Sequence, residues 1–303
     1  MPDRTDQPLR QTERVHPAAA GIDALAPGDI LGHLLAQQQD SLAAVRPAIP
    51  AIAEAAAAMA AAVRAGGRLA YVGAGSSGLM AVADALELNG TFGIPAGRIR
   101  LLMAGGLPVD ARMPGDAEDD AAAGGRAAAG LGAGDAVVCV SASGSTPYAL
   151  GAARAARAAG AQIVAVANTP GAALFRLADV AVCLATPPEV VAGSTRMGAG
   201  TAQKACLNLM STLMAVHLGA VHDGRMVGVI ADNAKLRARA EAMVADLAGC
   251  SPAAAAGALA AAGGAVKAAV LIARGADPAR AASLLGDSGG RLRGALNLFE
   301  RGG

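Results

Sequence analysis

Apolar and polar positions follow two different rhythms along the chain. From residue 29 to 66 apolar residues recur at helical spacing and the segment ends in Gly-Gly, which predicts helices. Pro47 and Pro50 interrupt this segment, so we expect at least two helices there. Short apolar runs follow, each ending in small or turn-forming residues: GRLAYVGAG, GRIRLLMAGG, DAVVCVSASG, AQIVAVANTPG and ADVAVCLATPPE.

Helical segments separate most of these apolar runs, which predicts an α/β fold. Strands that are apolar throughout and alternate with helices are typical of a parallel sheet covered on both faces. After the sheet, one helix is predicted from Thr201 to Gly219, and the pattern is helical from about residue 233 onward. We therefore predict an N-terminal helical segment at 1–48, an α/β domain at 49–225 and a small helical C-terminal subdomain at 226–303.

Composition excludes several classes of partner. The 303 residues carry 25 Lys and Arg against 24 Asp and Glu, a balance without the basic excess of proteins that bind nucleic acid or anionic lipid. Hydrophobic residues reach 54%, but the apolar stretches are mostly Ala and Gly and are interrupted by residues such as Glu54 and Arg64. The N-terminus is charged from its third residue, unlike a secretory signal. We expect a cytoplasmic protein without a membrane or nucleic-acid partner.

Metal chemistry is also not expected. The four cysteines, Cys139, Cys183, Cys206 and Cys250, have no metal-ligand spacing, and no two histidines form a zinc motif. Reduced cysteines and no metal site are the prediction.

Three loops rich in Gly, Ser and Thr indicate an anion site: 73–78 (GAGSSG), 141–146 (SASGST) and 192–201 (AGSTRMGAGT). The carboxyl ends of parallel strands lead into helix N-termini, whose free N–H groups favour an anion. Tight turns with Ser and Thr as helix caps are the ordinary alternative. The predicted phosphate or sugar ligands are Gly75, Ser76, Ser77, Ser141, Ser143, Gly144, Ser145, Thr146 and Ser194, with Arg196 and Lys204 as nearby cations.

The first loop also fits the fingerprint of dinucleotide-binding folds, Gly73-x-Gly75-x-x-Gly78. That interpretation requires an acidic residue about 20 positions later, at the end of the second strand. The second run ends in Ala104, Gly105 and Gly106 instead. A phosphorylated sugar is therefore favoured over a nicotinamide cofactor.

The same loops carry a resemblance to a known family. GAGSSG and SASGSTPY resemble the loops of the sugar isomerase (SIS) fold, and the order of GAGSSG, DALELNGTFG, AGG, AEDD, SASGSTPY and AGSTRMGAGTAQKACLNLMST is similar to that of N-acetylmuramic acid 6-phosphate etherases. The resemblance covers nearly the whole chain. It implies a three-layer SIS-type sheet and a lyase of cell-wall recycling, without metal or organic cofactor, that yields N-acetylglucosamine 6-phosphate and D-lactate. It also implies a homodimer whose subunits share residues of the site.

In this family two glutamates are functional, and the matching positions here are Glu87 and Glu118. The resemblance implies Glu87 as the proton donor and Glu118 as its partner. The ordinary alternatives are that Glu87 is a solvent-facing helix residue and that the acids of DAEDD stabilise a helix start. The reaction needs both carboxyl groups to face one cleft.

Several positions depart from the family pattern, among them Leu88-Asn89-Gly90 in place of Cys-Pro-Pro, and three of the departures replace a cation. Leu79 and Ser145 stand where the family has Arg, and Gly198 stands where it has Lys. The substrate carries a phosphate and a lactyl carboxylate, groups for which Arg is well suited. Two other functions therefore stay open: a phosphosugar-sensing regulator without turnover, and an aldose–ketose phosphosugar isomerase.

Overall fold

The computed structural model describes residues 11–229, 231 and 234–302. Within them the chain divides into two compact units, 11–85 with 98–210 and 86–97 with 211–302. The α-helices are α1 (Pro27–Ala43), α2 (Ile49–Arg64), α3 (Gly75–Phe92), α4 (Ala121–Ala127), α5 (Pro147–Ala158), α6 (Gly198–His217), α7 (Ala234–Ala248), α8 (Pro252–Ala261), α9 (Val266–Ala273), α10 (Pro278–Asp287) and α11 (Leu292–Arg301). The strands are β1 (Leu69–Gly73), β2 (Ile99–Met103), β3 (Ala136–Ser141), β4 (Gln162–Ala167), β5 (Val180–Cys183), β6 (Val221–His222) and β7 (Arg225–Met226).

The first unit is built on a five-stranded parallel sheet in the order β2-β1-β3-β4-β5. Each strand arises from one of the five apolar runs, so the predicted α/β fold is confirmed. Gly73 at the end of β1 lies opposite Met103 and Val140, and Ser141 at the end of β3 lies opposite Ala167. The strand order reverses between β1 and β3, and a crevice at such a point is where open α/β sheets bind ligands.

Helices cover the sheet by packing small side chains against it. Val72, Cys139 and Ile163 share one apolar cluster with Tyr148 and Ala152 of α5. α2 contacts β1, β3 and β5. With aromatic residues at only 2%, the core is filled mainly by Ala and Val, which allows the helices to approach the strands closely.

The predicted interruption of the N-terminal helical segment is observed. The chain turns at 44–48, through a 3-10 helix at Arg46–Ala48, and Pro50 lies in the first turn of α2. Proline is tolerated there because its missing N–H would have no helical partner. By length and composition alone Pro27–Arg64 could cross a membrane. In this structure, α2 buries Ala55, Ala56 and Met59 completely inside the folded unit.

In the second unit, the chain from Ala234 to Arg301 is helical, as the pattern from about residue 233 onward predicts, and a short hairpin precedes it. The buried apolar side chains of α7 to α11 form a single cluster that includes Val244, Leu259 and Leu271. The hairpin consists of β6 and β7, and its turn residues Asp223 and Gly224 both have positive φ, 44° and 72°. Asp-Gly is a strong signal for such a turn, so this hairpin was predictable from the sequence.

Candidate functional site

A cavity of about 460 Å³ lies in the first unit, where β1 and β3 end. Its lining comes from the β1–α3 turn, the β3–α5 loop, the acidic 3-10 helix Asp116–Asp119, Met113 and two further segments, 12–13 and 193–195. The lining residues are Thr12, Glu13, Ala74, Gly75, Ser76, Ser77, Met113, Glu118, Asp119, Ala142, Ser143, Ser145, Thr146, Pro147, Gly193 and Thr195. We call this space the first cavity.

The β1–α3 turn reaches the first cavity because glycines let it fold tightly. A Cβ on Gly73 would lie 2.7 Å from the Gly78 Cα, so a side chain cannot fit there. Gly75 has φ +51°, a left-handed conformation in which glycine carries no penalty. α3 begins at this residue, and the first N–H groups of a helix have no partner within it. Ser76 and Ser77 therefore line the cavity at a natural anion-binding end.

The β3–α5 loop, residues 142–146, is held by hydrogen bonds from within. Ser141 Oγ lies 2.9 Å from Thr146 Oγ1 and accepts the Gly144 N–H at 3.0 Å. Ser145 Oγ donates to Ser143 Oγ at 3.0 Å. This bracing presents the hydroxyls of residues 143, 145 and 146 to the first cavity ahead of α5.

Glu118 lies against the β1–α3 turn. A Cβ placed on Gly75 would be 3.9 Å from Glu118 Oε2. The segment carrying Glu118 leads directly into α4, which is capped by Asp120 Oδ1 accepting the Ala123 N–H at 2.8 Å. The acids of DAEDD thus include a helix cap, as in the ordinary interpretation, beside a carboxylate that lines the cavity.

Glycines also fix α4 against α5, and thereby Glu118 against the 142–146 loop. A Cβ on Gly151 of α5 would lie 1.9 Å from the Ala121 carbonyl oxygen. A Cβ on Gly124 of α4 would lie 2.0 Å from the Tyr148 carbonyl oxygen. The two helices therefore meet backbone to backbone, which larger residues would prevent.

A second cavity of about 390 Å³ shares Gly75, Met113 and Glu118 with the first. The rest of its lining comes from the segment between β2 and the acidic 3-10 helix: residues 103–110, 112, 114 and 115. Glu118 is the carboxylate that lines both cavities.

Several predicted ligands lie outside the lining of the first cavity. Ser141 and Gly144 are buried and brace the loop instead. Ser194 and the exposed Arg196 belong to the turn before α6, of which Gly193 and Thr195 line the cavity. Lys204 is half-buried on α6 and donates a hydrogen bond to Asn208 Oδ1.

Glu87 has a different setting from Glu118. It is exposed, belongs to the second unit and lies about three turns along α3 from Ser76, and it is not among the residues that line the first cavity.

Sequence reasoning missed two lining residues near the start of the described chain, Thr12 and Glu13. The Thr12 carbonyl accepts the Gly193 N–H at 3.1 Å, and a Cβ on Gly193 would lie 3.5 Å from Glu13 Oε2. No periodicity or turn pattern marks these two positions, because a long-range contact brings them to the cavity.

The departures from the family pattern have different structural settings. A Cβ on Gly198 would lie 2.2 Å from Gln37 Nε2 and 2.3 Å from Ser41 Oγ, so buried side chains of α1 fill the place of a longer residue. Gly198 also begins α6, where the buried Glu189 carboxylate accepts its N–H at 2.9 Å. Ser145 lines the first cavity, whereas the half-buried Leu79 does not.

A buried pair anchors α3 to the sheet. The Tyr71 hydroxyl donates to Asp84 Oδ2 at 3.0 Å. Burial, and then the neighbouring Asp84 carboxylate, raises the pKa of Tyr71 well above its ordinary value, so the phenol keeps its proton. Among residues 11–229, 231 and 234–302, no group of three or more His, Cys, Asp or Glu side chains is arranged to hold a metal ion.

Comparison with known proteins places this chain in a family. The SIS domain family model matches residues 35–168. N-acetylmuramic acid 6-phosphate etherase from Deinococcus radiodurans is 46% identical over 265 residues, 87% of each chain. The etherase from Rubrobacter xylanophilus is 43% identical over 86% of this chain and 87% of its own, and that from Symbiobacterium thermophilum 43% identical over 82% and 84%. The chain therefore belongs to the N-acetylmuramic acid 6-phosphate etherase family.

Proposed function

We propose that this protein cleaves the D-lactyl ether of N-acetylmuramic acid 6-phosphate, giving N-acetylglucosamine 6-phosphate and D-lactate. The observation that carries the proposal is the position of Glu118. Its carboxylate stands beside the β1–α3 turn, at the junction of a hydroxyl-lined cavity and a second cavity. Kinship with etherases of 43–46% identity supports the same reaction.

The first cavity suits the phosphate end of the substrate. Hydroxyls of Ser76, Ser77, Ser143, Ser145 and Thr146 line it, and the N-termini of α3 and α5 meet there. Hydroxyls and free helix N–H groups bind phosphate without any cation. The described lining of this cavity contains neither Lys nor Arg.

The reaction is an elimination followed by a hydration. In the open-chain sugar the C1 aldehyde makes the C2 proton acidic, and the C3 ether oxygen is a β leaving group. We assign Glu118 to take the C2 proton while Glu87 protonates the departing lactate oxygen. Water then adds at C3 and a proton returns to C2. Each step moves only protons and a leaving group, so it requires no electron acceptor.

Glu87 enters this scheme through a second subunit. A single chain does not include Glu87 in the lining of the first cavity, although its carboxylate is exposed. In a homodimer with two-fold symmetry, an exposed side chain of one subunit can complete the site of the other. We therefore propose a homodimer with composite sites, acting in the cytoplasm in peptidoglycan recycling. We also propose that residues 49–225 form the phosphosugar-binding domain and that 226–303 form the subdomain that follows.

The test is incubation with N-acetylmuramic acid 6-phosphate in heavy-oxygen water. We expect release of D-lactate and one heavy oxygen at C3 of the N-acetylglucosamine 6-phosphate formed, detected by mass spectrometry. Lactate that carries the isotope would instead indicate cleavage on the lactyl side and contradict the mechanism. Interconversion of aldose and ketose phosphosugars without lactate would establish the isomerase. Binding without turnover would establish the sensor.

The composite site has its own test. Glu87→Gln and Glu118→Gln are each expected to be inactive, and mixed dimers that exchange subunits should regain about a quarter of wild-type activity, because half of the dimers then hold one intact site. No recovery, with subunit exchange verified by mass, would place both glutamates in one chain.

A further inference from the structure

The two cavities differ in charge. Glu13, Glu118 and Asp119 line the first cavity, and no cation is among its described lining residues. The second cavity is lined by two acids, Asp110 and Glu118, and by one cation, Arg112. A substrate with both a phosphate and a carboxylate has two anionic groups to place, and among the described lining residues only the second cavity offers a guanidinium to one of them.

Arg112 is open to a ligand. Its backbone N–H donates to Asp110 Oδ1 at 2.8 Å, which shapes the turn. The side chain is exposed, and within the part of the chain that the structure describes its guanidinium forms no ion pair or hydrogen bond. Arg68, by contrast, pairs with Asp135 at 2.7 Å. A guanidinium has five N–H donors, and two of them can bind the two oxygens of a carboxylate in parallel.

The loop that carries Arg112 is closed at its base. Gly105 has φ +75°, and a Cβ there would lie 3.0 Å from Pro114 Cγ and 3.2 Å from Ala117 Cβ. The segment between these contacts folds back on itself beside Glu118. Apart from Arg112, Asp110 and Glu118, the second cavity is lined mainly by apolar side chains: Met103, Leu107, Pro108, Val109, Met113 and Pro114.

We infer that the second cavity is a subsite for an acidic leaving group, in which Arg112 binds the lactyl carboxylate and the apolar lining contacts the lactyl methyl group. The inference rests on the proposed function. The carboxylate is attached to the carbon that bears the ether oxygen, so it lies just beyond the atoms on which Glu118 acts. The second cavity shares Glu118 with the first, and its described lining includes none of the serine and threonine residues to which the phosphate is assigned. Arg112 thereby supplies a cation that Leu79, Ser145 and Gly198 do not provide.

The experiment compares N-acetylmuramic acid 6-phosphate with its lactyl carboxamide, which has the same shape without the charge. In Arg112→Gln we expect KM for the acid to rise about 10- to 100-fold, as for loss of a charge-assisted hydrogen bond, with kcat little changed. KM for the carboxamide should change less than about threefold. Arg112→Lys should retain part of the preference for the acid, because Lys keeps the positive charge but lacks the paired N–H donors of the guanidinium. Arg239→Gln, an exposed arginine of α7, is the matched control and should match the wild type.

Equilibrium binding makes the inference independent of turnover. In Glu118→Gln, the ratio of the two dissociation constants should favour the acid, and adding Arg112→Gln should abolish that preference. An unchanged ratio, or an equal loss for both ligands, would overturn the carboxylate subsite. Absence of lactate release by the wild type would overturn the proposed reaction alone, because the binding ratio still measures the subsite.

Discussion

The loops that line the two cavities are held in different ways. In the 142–146 loop, the Ala142 carbonyl accepts the Asn168 N–H at 3.0 Å and the Gly144 carbonyl accepts the Leu174 N–H at 2.9 Å, in addition to the bonds made by Ser141. In the 107–113 loop, the backbone hydrogen bond described is the one from the Arg112 N–H to Asp110. Val109 at the tip of that loop is 98% exposed.

This difference matches what each loop is proposed to bind. Phosphate has fixed shape and charge, and hydroxyls already held in place bind it without losing further conformational entropy. The leaving group is recognised by one long cation on a loop with few internal bonds, and such loops tolerate changes of sequence and length. We therefore expect substitutions in the 142–146 loop to affect stability and binding together, and substitutions in the 107–113 loop to affect selectivity alone.

The largest effect is expected where the two cavities meet. Glu118→Gln keeps the size of the side chain and removes the proton acceptor, so kcat should fall about 10²- to 10⁴-fold with KM within a few-fold. Asp119→Asn is the matched control, because Asp119 lines only the first cavity. Lactate release under saturating substrate measures both. An equal fall of kcat in Asp119→Asn would contradict the assignment of Glu118 as the proton acceptor.

The next effect concerns the contact that holds Glu118 near the 142–146 loop. Gly151→Ala would place a Cβ 1.9 Å from the Ala121 carbonyl oxygen, so α4 and α5 must separate. Overpacking of this kind lowers the free energy of unfolding by about 1–3 kcal/mol. Denaturant unfolding measures it, and kcat/KM should fall as well.

Gly125→Ala is the control for this contact. Its Cβ would meet only ordinary contacts, at 3.8 Å from the Gly151 carbonyl oxygen and 3.9 Å from Ala155 Cβ. Alanine also favours a helix over glycine by up to about 1 kcal/mol, so stability should be unchanged or higher. If both variants lose the same stability, the close approach of the two helices is not what holds the site.

The β1–α3 turn and the 142–146 loop could be predicted from the sequence because local rules determine both. Apolar runs predict the parallel strands, and a Gly- and Ser-rich segment after a strand predicts a turn into a helix N-terminus. Those rules placed Ser76, Ser77, Ser143, Ser145 and Thr146 at one sheet edge, where they line the first cavity. They could not distinguish Ser141, which braces the loop from a buried position, because both roles use the same hydroxyl.

The second cavity could not be predicted by the same rules. The apolar residues of 107–113 follow neither helical nor strand spacing. The position of this loop depends on the close packing of Gly105 against Pro114 and Ala117. Local sequence rules therefore do not single out Arg112, whereas Arg196 and Lys204 lie within a motif. Thr12 and Glu13 were missed for a related reason, since contacts with residue 193 bring them to the cavity.

Ser141→Ala tests whether the 142–146 loop depends on the hydrogen bonds made by the Ser141 hydroxyl. The change leaves Thr146 Oγ1 without the hydroxyl 2.9 Å away and removes a partner of the Gly144 N–H. Loss of a buried hydrogen bond should lower the free energy of unfolding by about 1 kcal/mol and raise KM for the phosphosugar several-fold. Ser283→Ala on α10 removes an exposed hydroxyl and serves as the control. A stable Ser141→Ala protein with unchanged KM would show that the brace is dispensable.

The smallest effect is expected from the Arg112 N–H to Asp110 hydrogen bond of the 107–113 loop. Asp110→Asn keeps an oxygen to accept the Arg112 N–H but removes an exposed negative charge from the lining of the second cavity, so the free energy of unfolding should change by less than about 0.5 kcal/mol. KM for N-acetylmuramic acid 6-phosphate should stay equal or fall up to about threefold, because one negative charge fewer then lines the cavity that receives the substrate carboxylate, and exposed charges interact by about 0.2–1 kcal/mol. Asp110→Ala removes the acceptor too and separates the hydrogen bond from the charge. If Asp110→Asn lowers stability as much as Ser141→Ala does, the two loops are held equally firmly, and selectivity cannot be assigned to the weaker bracing of residues 107–113.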